Sequence, residues 1–240
     1  MAQAFLHWLA VPAGRDWLDV GCGTGALTET VLGRAEPRTV VGVDPSEGFL
    51  NTARSRVDDP RATFRIGDAR SLPLPDRAFD VVVSGLAINF VPEPDRAAAE
   101  LARVVKTGGT VAAYVWDYAE GMRMMRYFWD AAAVLDPDGE LLDEGHRFPL
   151  CRPEALGALW TDAGLVEVTA QAIEIPMVFA DFDDFWSPFL GGQGPAPAYT
   201  MALPEDRRTA LRELLRERLP IAPDGTIPLT ARAWAVSGIG

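Results

Sequence analysis

A glycine-rich segment, Asp19-Val20-Gly21-Cys22-Gly23-Thr24-Gly25, follows the first short apolar run of the sequence and precedes a helical pattern. Glycines at a strand-to-helix turn let the backbone come close to a ligand, and the first helical turn offers unpaired N–H groups to a negative or dipolar group. The segment therefore restricts the chain to folds in which a strand-to-helix turn faces a ligand. It predicts that the ligand resembles a nucleotide.

Short apolar runs alternate with helical patterns from residue 17 to about 116, which is typical of βαβ units around a parallel sheet. The predicted strands are Trp17–Val20, Thr39–Val43, Ala62–Ile66, Phe79–Ser84 and Thr110–Trp116. A helix is expected over Pro94–Lys106, with Gly108-Gly109 after its last turn. Two later alternating runs, Val166–Val178 and Thr226–Val236, predict antiparallel strands at the sheet edge. The predicted fold is α/β, a doubly wound, mostly parallel seven-stranded sheet with an antiparallel edge.

The length of 240 residues favours one domain over residues 1–240. We expect an amphipathic helix within residues 1–16, with Phe5, Leu6 and Leu9 facing inward, and a ligand-binding core over 17–116. Segments 117–150 and 180–223 are expected to be insertions on the substrate side, partly helical.

Composition excludes several classes of partner. The formal net charge is -12 and no Lys/Arg run offsets it, so nucleic acid is not expected to bind. Two cysteines, Cys22 and Cys151, and two histidines, His7 and His146, are too few for a disulfide framework or an evident metal site, and no metal is expected. The sequence shows neither a signal peptide nor an apolar run long enough to span a membrane, so the protein is expected to be cytoplasmic. Its oligomeric state stays open.

Two carboxylates follow the next predicted strands. Asp44 ends the second strand, where a carboxylate can accept both hydroxyls of a ribose, and Asp68 ends the third strand at the same sheet edge. A carboxylate at that place can accept the amino group of an adenine, and the backbone N–H of Ala69 can donate to the ring. Because Gly21-x-Gly23-x-x-Ala26 also fits a dinucleotide fingerprint, a nicotinamide or flavin site stays open at this point.

Residues 17–116 resemble the core of the class I methyltransferases, which depend on S-adenosylmethionine (SAM), and in particular the ubiquinone-biosynthesis or type 11 methyltransferase family. Four segments carry the resemblance in the family's order: Val20–Gly25, Val41–Ser46, Gly67–Ala69 and Glu100–Gly109. Thr107 stands where the family often has proline, which affects only a turn. Beyond Trp116 the resemblance is to the overall architecture only.

The resemblance implies a set of residues that contact SAM. Asp19 and the glycine loop would hold the methionine part, Asp44 the ribose, Asp68 and Ala69 the adenine, and Ser84 to Leu86 would line the cofactor near the methyl group. The full cofactor set is Asp19, Gly21, Cys22, Gly23, Thr24, Gly25, Asp44, Pro45, Ser46, Gly67, Asp68, Ala69, Ser84, Gly85 and Leu86. Many relatives have an additional N-terminal segment over the cofactor, whereas sixteen residues precede Trp17 here, so the site is expected to be open on that side.

We therefore expect methyl transfer from SAM to a small-molecule acceptor. The alternatives are a SAM-binding or regulatory protein without catalysis and, less favoured, a nicotinamide-dependent oxidoreductase. No residue is a firm catalytic base, and the weak candidates are His146, Asp117 and Tyr118. Trp116, Trp186 and Phe189 are candidates for the acceptor pocket. The run from Met122 to Trp129 is more often core packing than a substrate site.

Overall fold

The computed structural model describes residues 1–136, 141–191 and 194–240. Residues 137–140 of the expected insertion 117–150 and residues 192–193 of the expected insertion 180–223 lie outside the described residues. Internal contacts divide the chain into two compact units. The first unit comprises Met1–Val115, Arg152–Ile173 and Trp234–Gly240, and the second comprises Trp116–Cys151 and Glu174–Ala233. The expected insertions 117–150 and 180–223 fall in the second unit, while the description of the chain as one domain stays a prediction.

The predicted sheet is confirmed. Its strands are β1 (Asp16–Val20), β2 (Thr39–Asp44), β3 (Ala62–Ile66), β4 (Phe79–Gly85), β5 (Val105–Trp116), β6 (Val166–Phe179) and β7 (Ile227–Ile239). They lie in the order β3-β2-β1-β4-β5-β7-β6, which is the order of a doubly wound sheet with β6 and β7 at one edge. β1 is parallel to both neighbours, with Trp17 opposite Val40 on β2 and Val81 on β4. At the other side Gly109 accepts from Gly240 while Gly108 donates to it, which makes β7 antiparallel to β5.

Helices occupy the positions between the strands. They are α1 (Ala2–Leu9), α2 (Ala26–Arg34), α3 (Glu47–Arg56), α4 (Pro94–Val104), α5 (Arg123–Leu135), α6 (Glu144–Arg147), α7 (Pro153–Asp162), α8 (Phe182–Trp186), α9 (Pro195–Ala202) and α10 (Glu205–Arg218). Short 3₁₀ helices span Ile88–Phe90 and Ser187–Leu190. None of these described helices is long and apolar enough to cross a membrane.

The central strands are apolar because helices cover both faces of the sheet. Leu18 on β1 and Val82 on β4 are both fully buried. α4 shows how the covering helices are encoded: it begins at Pro94, whose missing N–H costs nothing in a first turn, and it buries Ala97 and Leu101 on one face. The apolar face of each helix and the strands beneath it thus form one core.

The end of α4 differs from the prediction. The helix ends at Val104 instead of Lys106, because Val105 is already extended and pairs with Phe79 on β4. The pairing then skips to Val81 opposite Thr110, so residues 106–109 form an irregularity within β5 instead of a loop after the helix. Gly108 has φ 75°, a left-handed conformation that favours glycine, and this makes the irregularity sterically acceptable.

The expected N-terminal helix is confirmed as α1. Phe5 and Leu6 are buried and Leu9 is half-buried, as the amphipathic pattern predicts. The Phe5 ring lies 4.7 Å from the Tyr114 ring on β5, which fixes α1 to the first unit.

The second unit has its own core, an aromatic cluster formed by α5, α8, α9, α10 and the 3₁₀ helix Ser187–Leu190. Phe128 of α5 stacks on Phe189 with a centroid distance of 4.4 Å and an interplanar angle of 14°. Tyr199 of α9 meets the edge of Phe128 at 6.2 Å. The guanidinium of Arg216 lies 4.0 Å from the centroid of the Phe182 ring and covers it.

Trp160 provides a test of how α7 is fixed to the sheet of the first unit. It is fully buried, and its indole N–H donates to the backbone oxygen of Val111 at 3.0 Å. We expect Trp160→Phe to lower the free energy of unfolding by about 1–3 kcal/mol, because it leaves both a cavity and a carbonyl without its donor. Urea denaturation measures the change. The matched control is Trp8→Phe, which removes a 3.0 Å bond to Gln171 at an exposed site and should cost less than about 1 kcal/mol. Equal losses in the two variants would contradict the proposed anchoring role of Trp160.

Candidate functional site

The glycine loop between β1 and α2 is held against β2 by its own backbone. The N–H groups of Gly21 and Cys22 both donate to Val43, at 2.8 and 3.1 Å. Gly23 has φ 52°, and a Cβ built on it would meet no atom within 4 Å. The loop thus presents an open, backbone-lined surface at the carboxyl end of β1, as expected for a turn that a ligand approaches closely.

The Asp44 carboxylate joins the glycine loop to the turn that starts α3. Oδ2 accepts from the N–H of Gly23 at 3.0 Å, and Oδ1 accepts from the N–H of Ser46 at 2.9 Å. Ser46 in turn caps α3 by accepting from Phe49. The side chain of Asp44 is therefore fixed in direction, although each of its oxygens has room for another donor.

Asp19 is a buried carboxylate with only one of its oxygens satisfied. Oδ2 accepts from the Thr28 hydroxyl at 2.7 Å, whereas Oδ1 is buried without a hydrogen-bond partner. Burial raises the pKa of Asp19 to about 7, the Thr28 bond lowers it in part, and the negative charge of Asp44 raises it further. A positively charged group bound beside Oδ1 would satisfy it.

Asp68 lies at the carboxyl end of β3, as predicted, and is paired with Arg70. The carboxylate is half-exposed, and Arg70 contacts it through its guanidinium at 2.6 Å. The side-chain and backbone bonds from Arg70 lower the pKa of Asp68 to about 2. This carboxylate is therefore ionised at neutral pH and held in one orientation.

The carboxyl end of β4 completes the edge that holds the predicted cofactor residues. Ser84 is buried, and Leu86 adopts φ 57° with its N–H donating to the Tyr114 carbonyl on β5 at 2.8 Å. A Cβ on Gly85 would lie 2.8 Å from the Tyr114 hydroxyl. Burial raises the pKa of Tyr114, and the charge of Asp19 adds to that rise. The structure thus brings Asp19, Asp44, Asp68 and Ser84–Leu86 to one edge of the first unit.

Cys22 is buried inside the glycine loop, and burial strongly raises the pKa of its thiol. A reactive cysteine needs a stabilised thiolate, so Cys22 fits the role of a small packing side chain. Cys22 and Cys151 are both free thiols. Among residues 1–136, 141–191 and 194–240, no three His, Cys, Asp or Glu side chains form a group that could hold a metal ion.

The weak base candidates lie in the second unit and are not brought together as a catalytic pair. Asp117 is buried and accepts from Arg232 Nε at 2.6 Å, so its charge is neutralised. His146 is exposed, and its Nδ1 lies 4.0 Å from Asp143. Burial raises the pKa of Tyr118, whose ring lies 5.8 Å from that of Phe148. Their proposed role in catalysis stays a prediction.

The acceptor-pocket candidates differ in their surroundings. Trp116 is half-buried at the end of β5, whereas Trp186 and Phe189 belong to the aromatic cluster of the second unit and are 5% and 1% exposed. Their rings lie 5.9 Å apart. Packing therefore occupies Trp186 and Phe189, and a role for them in acceptor binding stays a prediction.

Three residues at this edge were missed by the sequence analysis. Thr28 is a fully buried threonine in α2, Tyr114 is a polar aromatic residue within the apolar strand β5, and Arg70 follows the Gly67-Asp68-Ala69 segment. The sequence signal for Tyr114 is its place as a polar residue inside an apolar run, whereas Thr28, between Leu27 and Glu29, carries none. Arg70 gives no such signal, because an arginine in a loop is ordinary on a surface.

This chain is similar in sequence to known methyltransferases. A family model described as a methyltransferase domain matches residues 18–113. The 2-methyl-6-phytyl-1,4-hydroquinone methyltransferase of Synechocystis is 30% identical over 200 residues, which are 79% of this chain and 61% of that protein. The trans-aconitate 2-methyltransferase of Variovorax paradoxus is 31% identical over 64% of this chain and 62% of its own length. This chain thus spans less than two thirds of these relatives.

Solved structures agree on the fold. A putative methyltransferase from Bacillus halodurans superposes with a TM-score of 0.65 at 18% identity, covering 99% of this chain and 97% of the other. The [4+2]-cyclase SpnF superposes with a TM-score of 0.57 at 21% identity. These identities are low, so the similarity establishes the architecture and leaves the reaction to be argued from the site.

The unusual protonation of Asp19 leads to a prediction about stability. Its proton is bound more tightly in the folded protein, with a pKa of about 7, than in the unfolded chain, with a pKa of about 4. Ionisation of Asp19 therefore destabilises the folded state increasingly as pH rises from about 4 to about 7. We expect Asp19→Asn to raise the free energy of unfolding more at pH 8 than at pH 5, by a difference on the order of 1–3 kcal/mol.

Urea denaturation at the two pH values measures this difference, and Asp16→Asn is the control on the same strand. The bonds from Arg38 hold the pKa of Asp16 well below its usual range, so its removal should destabilise the protein at pH 8. The two variants are thus expected to change stability in opposite directions. If Asp19→Asn changes the free energy of unfolding equally at pH 8 and at pH 5, the result would contradict the raised pKa of Asp19.

Proposed function

We propose that this chain transfers a methyl group from SAM to a small-molecule acceptor, because its residues 18–113 match a methyltransferase domain and its fold is that of class I methyltransferases. The observation that carries the proposal is the charge of the site. Asp19 and Asp44 lie close enough for the charge of Asp44 to raise the pKa of Asp19. Within the described ranges, no Lys or Arg hydrogen-bonds to either carboxylate.

This charge distinguishes SAM from a dinucleotide. SAM carries a sulfonium, an ammonium and a carboxylate at neutral pH, so it enters as a net cation. The pyrophosphate of a nicotinamide or flavin dinucleotide would add negative charge next to Asp19 and Asp44, and like charges at a poorly solvated site repel strongly. The two carboxylates favour the cationic ligand.

Each predicted residue has a place in the proposed complex. The unpartnered Oδ1 of Asp19 supports binding of the ammonium of SAM, since a buried carboxylate oxygen without a donor is unfavourable until one arrives. Asp44 is pre-oriented by Gly23 and Ser46 and would accept the ribose hydroxyls. The open space beside Gly23 would accommodate the methionine chain.

Bound SAM supplies a methyl group that is activated by its positive sulfur. In the transfer, the acceptor atom forms a bond to the methyl carbon while the carbon–sulfur bond breaks, and S-adenosylhomocysteine leaves. An acceptor with an O–H, N–H or C–H bond also releases a proton to a base or to water. Because donor and acceptor must be in line, holding them in position can supply much of the rate.

Acceptor recognition is assigned to the second unit, in segments 117–150 and 180–200. Loops beyond the carboxyl ends of parallel strands bind ligands in such folds, and Trp116 ends β5 just before the first of these segments. Asp117 is neutralised by Arg232, and burial raises the pKa of Tyr118 and so keeps its phenol protonated at neutral pH. The choice of a base among His146, Asp117 and Tyr118 therefore depends on the acceptor. Two free, buried thiols support a reducing cytoplasmic location.

Binding measurements test the cofactor assignment. SAM and S-adenosylhomocysteine should raise the melting temperature, as ligands selective for the folded state do, and NAD should not. Calorimetric titration should show Asp44→Ala binding S-adenosylhomocysteine about 1–3 kcal/mol more weakly, because the charge-assisted ribose bonds are lost. Asp44→Asn keeps the shape and tests the charge, and the exposed Asp58→Ala is the control. Unchanged affinity in both Asp44 variants would refute the ribose assignment.

Turnover measurements test the reaction itself. Incubation with methyl-labelled SAM and a panel of hydroquinones, amines and carboxylates should label at least one acceptor and release S-adenosylhomocysteine. Turnover should be the same with EDTA, because no metal ligand cluster was found in the described part of the chain. Loss of turnover on chelation, restored by magnesium, would contradict the metal-free mechanism. Tight SAM binding without turnover on any acceptor would favour a regulatory role.

A further inference from the structure

One arginine, Arg70, hydrogen-bonds to both oxygens of the Asp68 carboxylate. Arg70 donates to Oδ1 from its backbone N–H at 2.9 Å and from Nε at 3.0 Å, and to Oδ2 from its terminal nitrogen at 2.6 Å. A carboxylate oxygen accepts about two hydrogen bonds. Nε also lies 3.2 Å from Oδ2, so its one hydrogen is shared between the two oxygens. The three hydrogens that Arg70 donates occupy three of the roughly four acceptor positions of the carboxylate, and one position stays free. The fork of Arg70 fixes the plane of the carboxylate and thus the direction of that position.

The same fork occurs at the opposite end of β3. Arg61 donates to Asp59 from its backbone N–H at 2.9 Å, from Nε at 3.0 Å and from its terminal nitrogen at 2.7 Å. An aspartate and an arginine two residues later thus form this arrangement by local geometry alone. The fork at Asp59 precedes β3, whereas the fork at Asp68 follows it, at the edge that carries Asp44.

Arg70 differs from Arg61 because it also connects two loops of the first unit. Its other terminal nitrogen donates to Glu93 Oε1 at 2.9 Å, and Glu93 is paired with Arg96 at 3.2 Å as well. Glu93 adopts φ 57° immediately before α4, an unfavourable conformation for a residue with a side chain. This ion pair between Arg70 and Glu93, called the bridge below, therefore fixes the loop that holds Asp68 against the loop that follows β4.

We propose that Arg70 is a positioning residue that sets the base selectivity of the cofactor site, by directing the free acceptor position of Asp68 at the amino group of adenine. The inference rests on the proposed function, because it takes Asp68 as the residue that reads the base. A carboxylate with a fixed plane accepts from an amino group at one place and repels a carbonyl oxygen there. Without the fork, Asp68 can turn into solvent, because its side chain is 44% exposed.

The test compares two ligands that differ at this position of the base and at the neighbouring ring nitrogen, which carries a hydrogen in S-inosylhomocysteine. The difference at the ring nitrogen is the same for every variant, so a change of preference between variants reports on the amino position. S-adenosylhomocysteine carries an amino group there, and S-inosylhomocysteine carries a carbonyl oxygen. Calorimetric titration of the unaltered chain should show at least about tenfold preference for S-adenosylhomocysteine. In Arg70→Met the affinity for S-adenosylhomocysteine should fall about 3–10-fold, because Asp68 must be ordered on binding. The affinity for S-inosylhomocysteine should stay the same or rise, so the preference should shrink.

Three further variants separate positioning from general loosening. Arg61→Met removes the equivalent fork at the other end of β3 and should leave the preference unchanged. Arg70→Lys keeps the charge without the planar fork and should not restore the preference. Glu93→Ala keeps the fork and removes the bridge, and it should reduce the preference less than Arg70→Met does.

The outcomes are distinct. Equal loss of both ligands in Arg70→Met, or full restoration by Arg70→Lys, would overturn the positioning role while the proposed function stands. An unchanged preference in Glu93→Ala would overturn the contribution of the bridge. Failure of the unaltered chain to bind S-adenosylhomocysteine would overturn the proposed function and this inference together.

Discussion

The Asp44 carboxylate is the interaction on which the rest of the site depends. It accepts from Gly23 on one loop and from Ser46 on another, so one side chain sets the spacing between the glycine loop and the start of α3. The parallel pairing of β1 with β2 brings Val20 opposite Val43, which places both loops at the same edge. A carboxylate anchored in this way can receive a ligand with little reordering, and such preorganisation favours binding.

The same site contains a buried carboxylate whose ionisation is unfavourable until a cationic ligand pairs with it. Asp19 is buried without a cation beside it, and its Oδ1 has no hydrogen-bond donor. Buried, unpaired charges destabilise a fold, and a folded protein tolerates them chiefly where function uses them. Asp68 shows the opposite solution, since Arg70 neutralises it at an exposed position. In the proposed complex, the two carboxylates would contact different parts of the cofactor: Asp19 its cationic ammonium and Asp68 its neutral base.

In the second unit, aromatic residues that the sequence analysis considered for a binding pocket are buried in a core. Trp186 and Phe189 follow one another at helical spacing, and aromatic residues in a segment beyond the sheet edge suggest a pocket. In the structure they pack with Phe128 and Tyr199, and burial of such rings is the main stabilisation available to a small helical core. Arg216 over Phe182 closes the outer side of this cluster.

The sequence by itself determined the strands, the mostly parallel sheet with its antiparallel edge, the glycine loop and the acidic residues at the strand ends. Those features follow from local rules: apolar runs flanked by helical patterns, glycine where φ is positive, and the meeting of parallel strands at one edge. The predicted end of α4 was wrong by two residues, because the pairing of Val105 with Phe79 is a tertiary contact that overrides the local helix signal. Only the tertiary structure decided that Thr28 bonds to Asp19, that Arg70 bridges Asp68 and Glu93, and that Asp117 is neutralised by Arg232. Apart from the local Asp68–Arg70 fork, these partners are separated by 9 to 115 residues, and hydrogen bonds over such distances depend on how the chain packs.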